Sequence, residues 1–175
     1  LSHKEDVAII SPDFAAHFAK VAGRILNPLK AEHQMTPYQN VETLYLEDSL
    51  EKAARVMQKN GFQNLPVIKS DRCIGMFNES TLFYALLDLK TLHVTLDSPL
   101  VDFQDYLYLE DHPTHQYTFV SRHDTLDDIA ERFSEFLTTD DKRLELVIVT
   151  EHGKSSETML GIISPEDLIN IYMRD

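Results

Sequence analysis

Apolar residues at Phe14, Phe18, Val21, Ala22, Ile25 and Leu26 recur at helical spacing and predict a helix with one apolar face. Ser11-Pro12-Asp13 marks its start, a capping hydroxyl followed by a proline at the first helical position. Asn27-Pro28 marks its end, because the residue before a proline is pushed out of helical backbone. The stripe can pack on the body of the chain or meet another subunit. Residues 1–10 carry no period and are expected to be frayed or extended.

Beyond this helix the pattern repeats, and a repeat decides architecture. Val41-Glu42-Thr43-Leu44-Tyr45-Leu46 reads as a short strand, followed by Asp48-Ser49-Leu50 and an amphipathic helix through Met57. Tyr117-Thr118-Phe119-Val120-Ser121-Arg122 reads the same way, followed by His123, Asp124-Thr125-Leu126 and a helix through Phe133, offset by 76 positions (117 against 41). Ser49 and Thr125 can each accept an open amide at the helix start, and Glu51, Asp127 and Asp128 suit the positive end of the helix dipole. Each copy continues with two β-runs joined by a polar turn: 64–68 and 73–77 in the first, 144–149 and 159–163 in the second. Closing helices are predicted over 80–89 and 165–173. The offset grows to 81 (146 against 65) and then 86 (161 against 75), so the second copy carries insertions near 138–143 and in its hairpin turn. Insertions confined to turns are what a duplication tolerates.

Each copy is therefore βαββα, too small to bury a core alone, and two copies can pack sheet against sheet. The expected fold is α+β: two βαββα repeats packed as one module with an extra N-terminal helix, divided as 1–27, 28–90 and 91–175. Between the copies a short helix is predicted over 98–107, then an acidic loop carrying His112 and His115.

Composition narrows the function classes. A chain of 175 residues that is 43% hydrophobic and 26% charged is not disordered, and no run approaches the roughly 18 apolar residues of a membrane helix. A net charge of −13 argues against nucleic acid and against an anionic membrane surface. A small anion stays open, since basic groups or helix N-termini act at short range. The single cysteine, Cys73, and the lack of a signal-peptide pattern lead to an expected reducing, cytoplasmic setting. A chain opening on Leu1 leaves room for a neighbouring domain. No phosphate loop or nucleophile elbow is present, and Cys73 falls in a strand where burial would quiet it, so no enzyme activity is expected. Glu110-Asp111-His112-Pro113-Thr114-His115 offers donors for zinc or nickel, but no further Cys or His completes a recognised spacing, and no metal site is assigned.

The two copies together resemble a tandem cystathionine-β-synthase (CBS) domain pair, or Bateman module. The first copy carries the resemblance in 48–57, Asn60-Gly61-Phe62, Leu65-Pro66-Val67 and Gly75-Met76-Phe77. The second carries it in Asp124-Thr125-Leu126 to Ala130 and in Gly161-Ile162-Ile163-Ser164-Pro165-Glu166-Asp167-Leu168. The resemblance implies a regulatory module with an adenosine-containing ligand (AMP, ADP, ATP, S-adenosylmethionine or cyclic di-AMP) in a cleft between the copies. It also implies homodimers and an effector protein or domain. The alternative is a structural dimerisation module with a vestigial cleft.

Gly161 to Asp167 is similar to the family's ribose and phosphate element. Gly161 permits close backbone approach, Ile162 and Ile163 form the strand, and Ser164 caps a helix beginning at Pro165. Asp167 can accept hydrogen bonds from ribose hydroxyls, or serve as an ordinary capping-box acid. The resemblance further sets Tyr117, Thr118, Phe119, Val147 and Ile148 beside the base, with Phe119 or Tyr117 stacking or simply filling core. Arg122, His123, Lys142 or Arg143 are the phosphate candidates, with Arg122 and His123 preferred because they follow the second copy's opening strand. In the first copy Asn78 and Thr81 replace the hydroxyl and the acid, so its cleft is expected to be empty or to bind something else.

Overall fold

The computed structural model describes residues 11–88, 94–109, 115–138 and 143–173. The expected frayed start, Lys142 and His112 lie outside the described residues, as does the side chain of His115. Helix α1 (Pro12–Leu26) begins as its sequence predicts, with Ser11 Oγ accepting the Phe14 amide at 3.1 Å. Its apolar stripe, however, faces solvent: Phe18 is 63% exposed and Ile25 75%. The packing alternative for this helix is thereby set aside. A short helix α2 (Ala31–Gln34) and a two-residue strand β1 (Thr36–Pro37) follow, then a 3-10 turn over Tyr38–Asn40.

The first repeat comprises α3 (Leu50–Asn60), β2 (Leu65–Lys69), β3 (Arg72–Phe77) and α4 (Glu79–Asp88). Ser49 caps α3 and Gly61 closes it in left-handed backbone at φ 70°. Ser70 and Asp71 both have positive φ, the signature of the tight turn that joins twisted antiparallel strands. The opening strand expected over 41–46 contracts to one parallel bridge, Leu44 with Val67. The 3-10 turn ends just before it, and Asp48 folds the chain back just after it by accepting the Tyr45 amide at 2.8 Å. A second 3-10 helix, Leu100–Tyr106, stands where the short connecting helix was predicted. The second repeat has the full set: β4 (His115–Ser121), α5 (Leu126–Thr138), β5 (Arg143–Thr150), β6 (Gly161–Ile163) and α6 (Pro165–Met173). β4 runs parallel to β5, and β5 antiparallel to β6.

Each repeat is completed by chain that precedes the other. β1 adds to the edge of β6, pairing Thr36 with Ile162 and Pro37 with Gly161. Ala31 is fully buried in the second repeat's core beside Val120, Ile129 and Val147, and its amide donates to Asp124 O at 2.9 Å. In return Leu100, Phe103 and Leu107 fill the first repeat's core with Leu44, Ala53 and Val67. The Leu100 and Val101 amides donate to Asp48 O and Leu46 O, each at 2.8 Å. Between the repeats lies a third core, Ile68, Cys73 and Met76 against Tyr117, Leu146, Ile148 and Met159. There burial pushes the Cys73 thiol up to about 12, so it stays protonated and inert.

The long β5–β6 turn is latched by Glu157. Its Oε2 accepts the amides of His152 (2.7 Å) and Lys154 (3.4 Å), and its Oε1 lies 2.8 Å from His152 Nδ1. These bonds, the His152 amide foremost, hold the Glu157 carboxyl down at about 2 against an ordinary 4.5. A depressed carboxyl contributes stability in full above pH 4.5, and that contribution is lost as the pH falls through about 2. NMR titration of the Glu157 side chain is expected to give a midpoint near 2. A midpoint at 4.5 would mean that the latch does not form in solution.

Candidate functional site

A cleft of about 550 Å³ opens between the repeats at the start of α6. The sequence Gly-Ile-Ile-Ser-Pro builds its rim: β6 ends at Ile163, and proline at the first helical position forces the turn. Asp167 Oδ2 accepts the Ser164 amide at 2.8 Å and the Ser164 hydroxyl at 2.9 Å, while the Asp167 amide lies 3.4 Å from Ser164 Oγ. This is a capping box. Among the described residues Asp167 Oδ1 has no donor, so half of the carboxylate remains available where the residue lines the cleft. Opposite lie Val41 and Glu42 of the first repeat and the 60–65 turn after α3, with Arg143, Glu145 and Leu146 of β5. Gly161 and Ile163 are buried beneath the rim.

The repeat offsets identify a second, pseudo-equivalent position in which Asn78 stands for Ser164, Thr81 for Asp167, Asn64 for Glu145 and Tyr117 for Val41. There the chain occupies itself. The Tyr117 hydroxyl donates to Asn64 Oδ1 at 2.8 Å and accepts from Asn78 Nδ2 at 3.1 Å. Asn78 caps α4 by accepting the Thr81 amide at 3.0 Å, and both are buried. Burial pushes the Tyr117 phenol well above its ordinary range. Where valine leaves a cleft at position 41, tyrosine fills one at position 117.

Of the base-side and phosphate candidates that the resemblance sets around Ser164 and Asp167, the structure separates most, and Val147 and Ile148 are core residues. Tyr117 is the plug just described. Thr118 and Phe119 line a different recess of about 390 Å³, with Gly153, Lys154 and Ser155. Arg122 donates to Glu32 Oε2 through Nε (2.8 Å) and Nη2 (2.6 Å), and through Nη1 to Glu151 Oε2 at 3.2 Å. His123 lies 3.8 Å from a carboxylate oxygen of each of the same two acids. The pair therefore ties α2 to the β4–α5 turn, and Arg122 holds the Glu32 carboxyl below its usual range. Of the basic candidates Arg143 does reach the cleft, its Nε 3.7 Å from Glu145 Oε1.

The cause is the exchange of flanking chain. Because β1 pairs with β6, the opening segment beside Ser164 is that of the first repeat, not the second. The signal was in the sequence: subtracting the offset of 76 from Tyr117 and Thr118 gives Val41 and Glu42, both of which line the cleft. Among the described residues no three His, Cys, Asp or Glu side chains are grouped to hold a metal ion, and no helix is long and apolar enough to cross a membrane.

The family model for the CBS domain matches twice, over residues 32–88 and 109–174, more than half of the chain. The chain belongs to the CBS-domain family. Its two repeats are a tandem CBS pair, α+β in class with an extra N-terminal helix. Among solved structures this CBS pair is similar to CbpB in complex with c-di-AMP, with a TM-score of 0.64 and 14% identity, covering 90% of this chain and 92% of that one. It is also similar to CBSX2 in complex with AMP, with a TM-score of 0.60 and 17% identity, covering 83% and 97%. A third is Hypoxic Response Protein I with two coordinated zinc ions, with a TM-score of 0.55 and 15% identity, covering 81% and 97%. At these identities the likeness is one of fold. No curated protein sequence matches the CBS pair significantly.

Proposed function

We propose that this CBS pair is a non-enzymatic regulatory module that binds one adenosine-containing ligand per chain in the cleft rimmed by Ser164 and Asp167. The observation that carries the reading is an asymmetry. The cleft with the serine and the carboxylate is open, and its pseudo-equivalent, which lacks both, is filled by Tyr117. The ligands named for CbpB and CBSX2, c-di-AMP and AMP, support the ligand class. Asp167 Oδ1 would accept a ribose hydroxyl while Oδ2 keeps the helix capped. Binding would act by favouring one packing of the repeats, to the extent that the ligand's affinity differs between packings. Exposed apolar side chains on α1, α4 and α6, among them Phe18, Phe83, Leu87 and Ile169, suit a homodimer or an effector protein or domain as partner in a cytoplasmic setting.

The test is calorimetric titration with adenosine, AMP, ADP, ATP, S-adenosylmethionine and cyclic di-AMP. One site per chain is expected, and Asp167→Asn, which retains an oxygen for the cap, is expected to weaken binding by about tenfold or more, as the loss of a hydrogen bond to a charged group does. Undiminished affinity in Asp167→Asn refutes the ribose contact. Binding of none of these compounds leaves the structural dimerisation module with a vestigial cleft, the reading that the net charge of −13 favours.

A further inference from the structure

The cleft carries a charge pattern that narrows its ligand, given the adenosine-binding reading above. Among the described residues five charged side chains line it: Glu42, Glu145, Glu166, Asp167 and one cation, Arg143. Arg143 is already beside Glu145, 3.7 Å from Nε to Oε1, with its side chain 63% exposed. The helix ends add to the imbalance. α3 ends at the cleft with Asn60 and Gly61, presenting the carbonyl, negative end of its dipole. The start of α6, where a phosphate would look for free amides, is largely spent. Pro165 has no N–H, the Ser164 amide donates to Asp167, the Asp167 amide to Ser164 O, and Glu166 and Asp167 already complement the positive end.

We infer that the cleft selects a ribonucleoside whose 5′ substituent is uncharged or positively charged, and discriminates against nucleoside phosphates in proportion to their charge. The carboxylates are acceptors suited to sugar hydroxyls and to a cationic substituent. A triphosphate would bring about four negative charges among four carboxylates, with one partly neutralised guanidinium among the described residues to answer them.

Calorimetry at low and high salt, without divalent cations, uses adenosine (neutral), S-adenosylmethionine (cationic), AMP and ATP as probes. S-adenosylmethionine and adenosine are expected to bind tighter than AMP, and AMP tighter than ATP. The adenosine-to-ATP gap is expected to be about tenfold or more at low salt and to shrink at high salt, as screening shortens the reach of the carboxylates. The double substitution Glu42→Gln with Glu166→Gln, both at exposed positions, is expected to raise the AMP-to-adenosine affinity ratio about fivefold. ATP or AMP binding tighter than adenosine overturns the inference while leaving the adenosine site standing, and so does an unchanged ratio in the double variant. Failure of all four probes to bind overturns the adenosine reading and this inference with it.

Discussion

Replacing Tyr117 with alanine is expected to lower the unfolding free energy by about 3–5 kcal/mol, the usual range for emptying a buried aromatic site. The ring sits in the core between the repeats with Ile68, Met76 and Ile148, and only 8% of the residue is exposed. Its hydroxyl joins Asn64, which precedes β2, to Asn78 at the cap of α4. Tyr117→Phe separates the two contributions, since it keeps the ring and loses the hydroxyl with its hydrogen bonds, for about 1 kcal/mol. The ring should therefore dominate. Urea unfolding of both variants measures this, and a loss below about 1.5 kcal/mol in Tyr117→Ala would show that the side chain does not fill the position. Because the rim there is Asn78 and Thr81 rather than a serine and a carboxylate, opening it is expected to leave the ligand stoichiometry unchanged.

The second large effect lies at Gly161. A Cβ at this position would run into the carbonyl oxygen of Thr36 and come within 3.0 Å of Met35 Sδ. The clash sets a Cβ against a backbone oxygen across the β1–β6 ladder, so no side-chain rotation relieves it. Gly161→Ala is expected to cost about 3 kcal/mol, at the upper end for overpacking, and to weaken ligand binding as well, since the displaced Thr36 lines the cleft. Gly75 is the pseudo-equivalent, facing Leu107 O at 2.7 Å, and Gly75→Ala is expected to destabilise the first repeat without touching the open cleft. Gly23→Ala is the control, with nothing within 4 Å and a helical backbone that favours alanine. Thermal unfolding of the three variants decides the matter, and a Gly161→Ala chain as stable as Gly23→Ala would show that β1 is not held against β6.

These two positions also show how far the sequence could be read. Local signals were faithful. Ser11-Pro12 starts α1, Ser49 caps α3, the polar turn between β2 and β3 is where it was expected, and Ser164-Pro165 starts α6. Each depends on neighbours a few positions apart, which periodicity and capping chemistry report directly. What escaped was everything set by distant chain. Nothing within Thr36-Pro37 says that they will pair with residues more than 100 positions away, so local pattern sets the second copy's own opening strand beside Ser164, whereas Thr118 and Phe119 line a separate recess. Arg122 reads as a loop cation until Glu32, far upstream, takes its charge. Tyr117 reads as a strand aromatic, and only the amides across from it make it a plug. The stripe on α1 was legible as a stripe, but not what it faces.

The exchange of flanking segments has a consequence for how this polypeptide can be divided. A cut in the middle of the chain would strip Ala31 and β1 from the half that needs them, and Leu100 and Phe103 from the other. Neither fragment would inherit an intact interior, so the heritable unit is the doublet and not its visible half.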